Sequence, residues 1–337
     1  MSLFRIPLAW LLLLAWLTCA PLTSAAPTFE RPVPEDGGPT TILCAIAVLD
    51  LDDISDASQN FTVNLVARFQ WHDPREAHEG KGKIVKELSE IWHPHLFFVN
   101  MQRTWSTLGG GVEISPSGEV VLRQQFWGDF SQPLALHDFP FDQQVFEIKT
   151  VTAGPEEFGE IALIQDPEVG SFITENYSVA NWEVTKSEVG SEPLLLPGRQ
   201  KVEAFTFRFT AARHSNHYVI KIIAPLLMIV ILSWVVFWLD PSEGGSQLGV
   251  AVTSFLTVIA YHVALSSKLP EISYLTRFDV FVFGSTLLVF FAMLEVVLTT
   301  GMARTGRIKG ARWLDRVCRV LFPGILTLVG LYAFVWH

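Results

Sequence analysis

One apolar run of this 337-residue chain carries side chains that a helix buried in hydrocarbon normally avoids. Between Leu248 and Leu265 stand Thr253, Ser254, Thr257, Tyr261 and His262, with Gln247 before them and Ser266-Ser267 after. Polar groups in such a helix are costly and normally face protein or water. Alternating helical steps of four and three place Gly249, Thr253, Leu256, Ala260, Val263 and Ser267 on one stripe. The stripe is small or polar at both ends, with one bulky Leu256 near its middle. A ring of such helices would enclose a water-filled path with an apolar constriction at Leu256, able to close by dewetting. Small residues also let helices pack closely, and from this segment alone both readings stand. Just before the run lie Asp240 and Glu243, where copies around an axis would form an acidic ring that draws cations. Lys268 and Glu271, at the other end, roughly cancel.

Other chemistry is poorly provided for. The chain has no nucleophile elbow, paired zinc motif, phosphate loop or dinucleotide turn in the right context, and its carboxylates are scattered, so an enzyme is not expected. A secondary transporter would show more spans and internal repeats with broken helices. His72, His78, His93, His95, His137, His214 and His217 precede the apolar half. Histidine titrates near neutrality and can bias a bistable interface, which makes pH control one expectation. His93 and His95 form a lone pair, a weak metal signal, and no metal or other cofactor is expected.

The elements that must position these residues follow from composition. Half the residues are hydrophobic, and they gather at the N-terminus and after about residue 218. Met1 to Ala26 has one basic residue, an apolar run from Ile6 to Leu17 and a small-residue end at Ser24-Ala25-Ala26, the layout of a cleaved secretory signal. Pro27 to Arg213 (27–213) alternates short apolar or β-branched runs with Gly, Pro, Asp and Ser clusters, which predicts an extracytoplasmic antiparallel β-sandwich. One helical turn is expected around Ile84 to Ile91. Removal of the signal would leave only Cys44 and Cys318, in different regions, so a core and not a disulfide framework must hold the domain. That domain carries 28 acidic residues against 14 basic, a balance of −14, which disfavours nucleic acid and favours nearby cations. The remainder (214–337) holds a predicted bundle of four transmembrane helices at 218–239, 247–266, 278–300 and 315–336. Arg304, Arg307, Lys309, Arg312 and Arg316 lie between the third and fourth, which places that connection in the cytoplasm and the N-terminal domain outside. The expected class is therefore a multi-pass β + α protein of the cell membrane, in contact with the lipid bilayer.

A series of separated motifs adds a resemblance. In order come Trp71-His72-Asp73-Pro74-Arg75, Trp92-His93-Pro94 with Asn100, Ser115-Pro116-Ser117-Gly118, and Phe139-Pro140-Phe141-Asp142. Arg213 and Tyr218 then lead into a first span containing Pro225 and Ser233-Trp234-Val235-Val236-Phe237-Trp238. This ordered set resembles the pentameric ligand-gated ion channels, the Cys-loop receptor superfamily, along essentially the whole mature chain. Gln132 and Phe146 stand where animal members carry the loop cysteines, and the cytoplasmic connection is minimal, as in the bacterial branch. The resemblance implies a homopentamer, with four identical subunits as partners, in a bacterial inner membrane facing the periplasm. It implies permeation by ions, here expected to be cations, under control of protons or an unknown small-molecule agonist. It places Phe139, Pro140, Phe141 and Asp142 against the connection from Lys268 through Pro270 to Thr276, and pairs Asp142 with Arg213. It brings an intersubunit agonist cleft onto Val66, Arg68, Phe97, Val99 and Ala153. None of Val66, Val99 and Ala153 is aromatic, and the expected covering loop Glu188 to Gln200 has no ring either, which disfavours an ammonium agonist held by cation–π attraction. A membrane-anchored sensor or binding receptor that does not conduct is the alternative, and the polar stripe counts against it.

Overall fold

The computed structural model describes residues 30–106, 110–154, 159–196, 200–266 and 272–336. The expected signal at 1–26, and Ser267, Lys268 and Pro270, lie outside the described residues. Twelve strands are described: β1 (Thr40–Ser55), β2 (Asn60–His72), β3 (Ile84–Glu87), β4 (Leu96–Phe98), β5 (Met101–Ser106), β6 (Gly111–Ile114), β7 (Glu119–Ser131), β8 (Gln143–Thr152), β9 (Ile161–Gln165), β10 (Phe172–Ile173), β11 (Trp182–Leu196) and β12 (Gln200–Arg213). One sheet runs β10-β1-β2-β7-β6-β3, with β5 on β7 and β9 on β1; the other runs β11-β12-β8-β4.

Period-two patterning decides which side of each strand is buried. Along β2, Phe61, Val63, Leu65, Ala67, Phe69 and Trp71 point inward while the intervening residues face out. The two sheets meet through aromatic rings: Phe61 of the first lies 5.0 Å from Phe146 and 5.7 Å from Phe209 of the second. Truncating one such buried ring to alanine typically costs about 3–5 kcal/mol. Cys44 is buried and free within this core, consistent with packing in place of cross-linking. Burial also pushes the Cys44 thiol well above its ordinary range.

The sandwich is not wholly antiparallel, because β9 and β10 join β1 in parallel. Between them Asp166 accepts the backbone N–H groups of Glu168 and Val169, turning the chain so that both segments lie along one edge of β1. Ile84 to Ile91 is also not one helical turn. Ile84–Glu87 pairs with β6, and only Leu88–Glu90 turns as a short 3₁₀ segment.

Three of the resemblance motifs meet at the His72 end of β2, the end opposite Asn60. Gly118 sits at φ +85°, and a Cβ there would fall 2.5 Å from the Asp73 carbonyl oxygen. The Ser115–Gly118 turn is thereby clasped to Asp73, whose N–H donates to the Gly118 carbonyl at 2.9 Å. Asp73 in turn accepts Arg75 Nε at 2.8 Å and Nη2 at 2.7 Å, and Trp71 meets Trp92 edge-on at 6.1 Å. Asn100 bridges the two sheets by donating to the carbonyls of Ser131 and Glu147.

Four helical spans follow, at Asn216–Trp238, Pro241–Ser266, Arg277–Arg304 and Ile308–Val335, each long and apolar enough to cross a bilayer. The first includes a wide π turn, Val219–Ile223, directly before Pro225, which cannot donate a helical N–H. The third and fourth extend beyond their predicted ends, and the fourth begins at Ile308. Lys309, Arg312 and Arg316 are therefore helical, and the connection shrinks to a turn around Gly306 at φ +81°. The basic residues hid this start because they break the apolar run without breaking the helix.

Candidate functional site

Arg213 ends β12 at the base of the sandwich, and its side chain is 2% exposed. Its Nε donates to Asp142 Oδ1 at 2.7 Å and its Nη2 to Asp142 Oδ2 at 3.2 Å. On the other side Nη1 and Nη2 donate to the two oxygens of Asp56 at 2.8 and 2.7 Å. Nη1 also donates to the Tyr218 hydroxyl on the first span at 3.2 Å. Aromatic rings close the remaining faces, with the guanidinium carbon 4.2 Å from the Trp182 ring centre and 5.0 Å from that of Phe139. Burial alone would lower the guanidinium's proton affinity, but the hydrogen bonds it donates to Asp56 and Asp142 outweigh it and raise the pKa above its ordinary value. One cation thus binds two carboxylates, and the site carries one net negative charge.

The expected pair with Asp142 is present; Asp56 and Trp182 were missed. Asp56 lies 157 positions from Arg213 in a surface turn, and no local pattern links them.

The loop between β7 and β8 seats this cluster on the helices. Phe139 is buried and meets Tyr218 of the first span at 4.8 Å and Phe278 of the third at 5.8 Å, both edge-on. Pro140 follows through a cis bond. Phe141 is half exposed and meets Phe334 of the fourth span at 5.6 Å. Before them, the Tyr274 hydroxyl accepts Leu136 N–H at 3.0 Å, and its ring stacks on His137 at 4.0 Å. Arg277 N–H donates to the His137 carbonyl at 3.0 Å, and Arg277 Nε lies 2.9 Å from Asp138 Oδ1. The segment Ile272–Arg277 thus forms the described part of the expected contact.

The second span has two faces. Gly244, Gln247, Ala251, Ser254, Val258 and Leu265 are buried against the rest of the subunit. Gly249, Thr253, Leu256, Ala260 and Val263 are all exposed on the opposite side, with Leu256 at 61% and Val263 at 69%. Thr253 and Thr257 donate their hydroxyls to the carbonyls of Gly249 and Thr253, at 2.8 and 2.7 Å, so neither leaves its O–H unused. Tyr261 turns inward and donates to the Ile222 carbonyl in the π turn at 2.8 Å.

At the inner end the expected acidic residues divide. Asp240 does not face the stripe: it caps the turn into the second span through Ser242 N–H at 3.0 Å and pairs with Arg312 of the fourth span at 2.7 Å. Glu243 is exposed and lies in a groove of about 510 Å³ with Gly245, Ser246, Thr300 and Arg304. Gln247 is fully buried, donating to the carbonyls of Val236 and Leu239 at 3.0 Å each, which ties the second span to the end of the first.

The cleft candidates fall on different sheets of one subunit. Phe97, Val99 and Ala153 lie at the β4–β8 edge, with Val99 N–H donating to Lys149 and Ala153 N–H to His95. Phe97 is exposed and Phe98 buried, as strand alternation requires. Val66 and Arg68 point out from β2, and Arg68 is held by Asp166 and Gln70. Glu188 to Leu196 is not a loop but part of the β11–β12 ladder; 197–199 lie outside the described residues. His93 and His95 sit in an irregular stretch, rings 5.1 Å apart. Sequence reading also missed an outward aromatic pair, Trp105 on β5 and Trp127 on β7, with ring centres 4.7 Å apart and Trp127 bonded to Asp52.

Residues 21–178 match the neurotransmitter-gated ion-channel ligand binding domain, and residues 222–328 match the neurotransmitter-gated ion-channel transmembrane region. A relative described as a proton-gated ion channel, from Gloeobacter violaceus, is 24% identical over 305 residues, covering 89% of this chain and 84% of that protein.

Proposed function

The chain belongs to the pentameric ligand-gated ion channel superfamily, in its bacterial branch, and from that membership we propose that it is one subunit of a homopentameric, cation-selective channel whose second span lines the pore. It is a multi-pass membrane protein with an extracytoplasmic N-terminal domain and not an enzyme.

The observation that carries the reading is the division of the second span. Five of the six expected pore residues are described, and all five lie on the face that the subunit leaves uncovered. A face with small residues and a threonine, left without a partner within the subunit, suits a lining for water better than a surface for lipid. Leu256 supplies the apolar constriction, and its replacement by a smaller side chain should favour a hydrated, open path. Cation selectivity rests on Glu243 at the inner mouth and on the acidic outer domain. Asp240, committed to Arg312, contributes little to it.

Coupling runs through the buried Asp56–Arg213–Asp142 cluster. A rotation of either sheet must carry Arg213, and Arg213 carries Tyr218 and the head of the first span. Protons are the favoured stimulus, in keeping with the relative's description. His137 at the seat of the loop is one place where added charge would act on the helices, because its ring stacks on Tyr274. A small molecule at the β4–β8 edge is the other stimulus, and the bacterial inner membrane, facing the periplasm, is the proposed location.

Purified protein in a planar bilayer tests this. Stepping the outer pH from about 8 to about 5, a range that spans histidine titration, should switch on a current whose reversal potential follows the cation gradient. Leu256→Ala should conduct more readily at every pH. Silence of both forms at confirmed membrane insertion would return the chain to a non-conducting receptor.

A further inference from the structure

Glu295 on the third span and Asp315 on the fourth face each other within hydrogen-bonding reach in the inner half of the bundle. They are 6% and 2% exposed. Both Glu295 carboxyl oxygens and Asp315 Oδ1 are buried with no hydrogen-bond donor among the described residues. An ionised carboxylate can only accept, so two of them in contact make no bond and repel, and more strongly where water is excluded. One proton converts that contact into a charge-assisted O–H···O⁻ bond, among the strongest available to side chains.

No neighbouring side chain among the described residues donates a hydrogen bond to the buried Glu295 oxygens or to Asp315 Oδ1. The charges acting on the pair are Arg319, from the fourth span, and Asp240, from the end of the first. Arg319 Nε donates to the Phe237 carbonyl at 3.0 Å and its guanidinium lies 4.3 Å from the Trp238 ring centre, so it acts on Asp315 at a distance, through charge. Asp240 is held by Arg312. From the second span, Gln247 spends its amide on the Val236 and Leu239 carbonyls, and Cys318 beside the pair is a buried thiol. The surrounding packing is apolar, including Ala292, Val296 and Phe322. A cavity of about 200 Å³ at the cytoplasmic end, lined by Asp240, Arg312, Arg316 and Arg319, reaches Asp315.

We propose that Glu295 and Asp315 form an intramembrane proton-binding site, filled from the cytoplasmic side by one shared proton that clamps the fourth span to the third. Removal of that proton leaves two like charges in contact and weakens the clamp. The site is distinct from any sensor in the outer domain and does not depend on whether the chain conducts.

Infrared difference spectroscopy on protein in an ester-free maltoside detergent tests it, comparing wild type with Glu295→Gln/Asp315→Asn at neutral pH. Wild type should show the carbonyl stretch of a protonated carboxyl group, absent from the double variant and lost at alkaline pH. The Tm of wild type should fall by a few degrees as rising pH removes the shared proton, and that of Glu295→Gln, which keeps an N–H donor toward Asp315, should not. Asp315→Asn serves as the parallel variant if Glu295→Gln does not fold. Absence of the band in wild type, or parallel Tm curves for wild type and variant, would overturn the proposal. Neither readout uses current, so failure here is separable from failure of the channel reading.

Discussion

Arg213 concentrates more of the molecule's logic than any other residue, since a single guanidinium binds two carboxylates, a hydroxyl and two aromatic faces. Replacing it by alanine leaves the buried Asp142 beside the half-buried Asp56 with no cation between them, and loss of one partner from a buried pair costs on the order of 3–5 kcal/mol. Arg213→Lys keeps the charge but cannot make two forked contacts, so it should behave closer to alanine than to wild type in detergent-denaturation melts. Asp142→Asn should cost less, about 1–3 kcal/mol, and should displace the activation curve; a variant that melts and activates as wild type does would remove this pair from the coupling path. Only half of the cluster was legible in the sequence. Asp142 came from a recognisable loop, whereas Asp56 occupies an unremarkable turn that only the fold brings to β12. Similarly, Asp240 and Gln247 read as mouth residues by position, but a cap, an ion pair and two carbonyls already engage them.

Elements were easier to read where one physical signal dominated. Apolar or alternating runs marked β1, β2, β7, β8 and β12, and of these β2 buries every second side chain while β1, β7 and β12 also bury consecutive ones. Such runs could not reveal β9 and β10, whose parallel pairing depends on a turn built around Asp166. Three of the resemblance motifs hold a turn and a ring pair at the end of β2 opposite the Asp56 turn. The second span shows how element geometry constrains substitution. A Cβ on Gly244 would lie 2.3 Å from Thr300 Cγ2, whereas one on Gly249 would meet nothing within 4 Å. Gly244→Val should therefore push the second span off the third and lower Tm. Gly249→Ala should leave Tm unchanged or slightly raised, because alanine is the better helix former by about 1 kcal/mol. Equal effects at the two positions would contradict the packing described here.

The whole molecule couples a strongly acidic outer domain to a membrane bundle with a basic cytoplasmic end. Acid weakens the fold through the carboxylates that ion pairs hold ionised, which are protonated only after the unpaired ones. Burial raises the pKa of Glu147, yet hydrogen bonds from Arg208 and Lys149 outweigh it and hold the group below its ordinary value. Its stabilising contribution is therefore complete above the unfolded carboxylate range and is lost as pH falls through the folded value. Glu147→Gln should flatten part of the acid-side decline in Tm; a decline as steep as wild type would place the sensitivity elsewhere. In the proposed channel the uncovered face of the second span, and not its buried face, lines the conducting pore. Charged thiol reagents applied during current recording test it directly, since Cys44 and Cys318 are both buried and give little background. We predict that Thr253→Cys, Leu256→Cys and Ala260→Cys are blocked by a cationic reagent while Ala251→Cys, Ser254→Cys and Val258→Cys are not. Block at the second set and not the first would contradict the account.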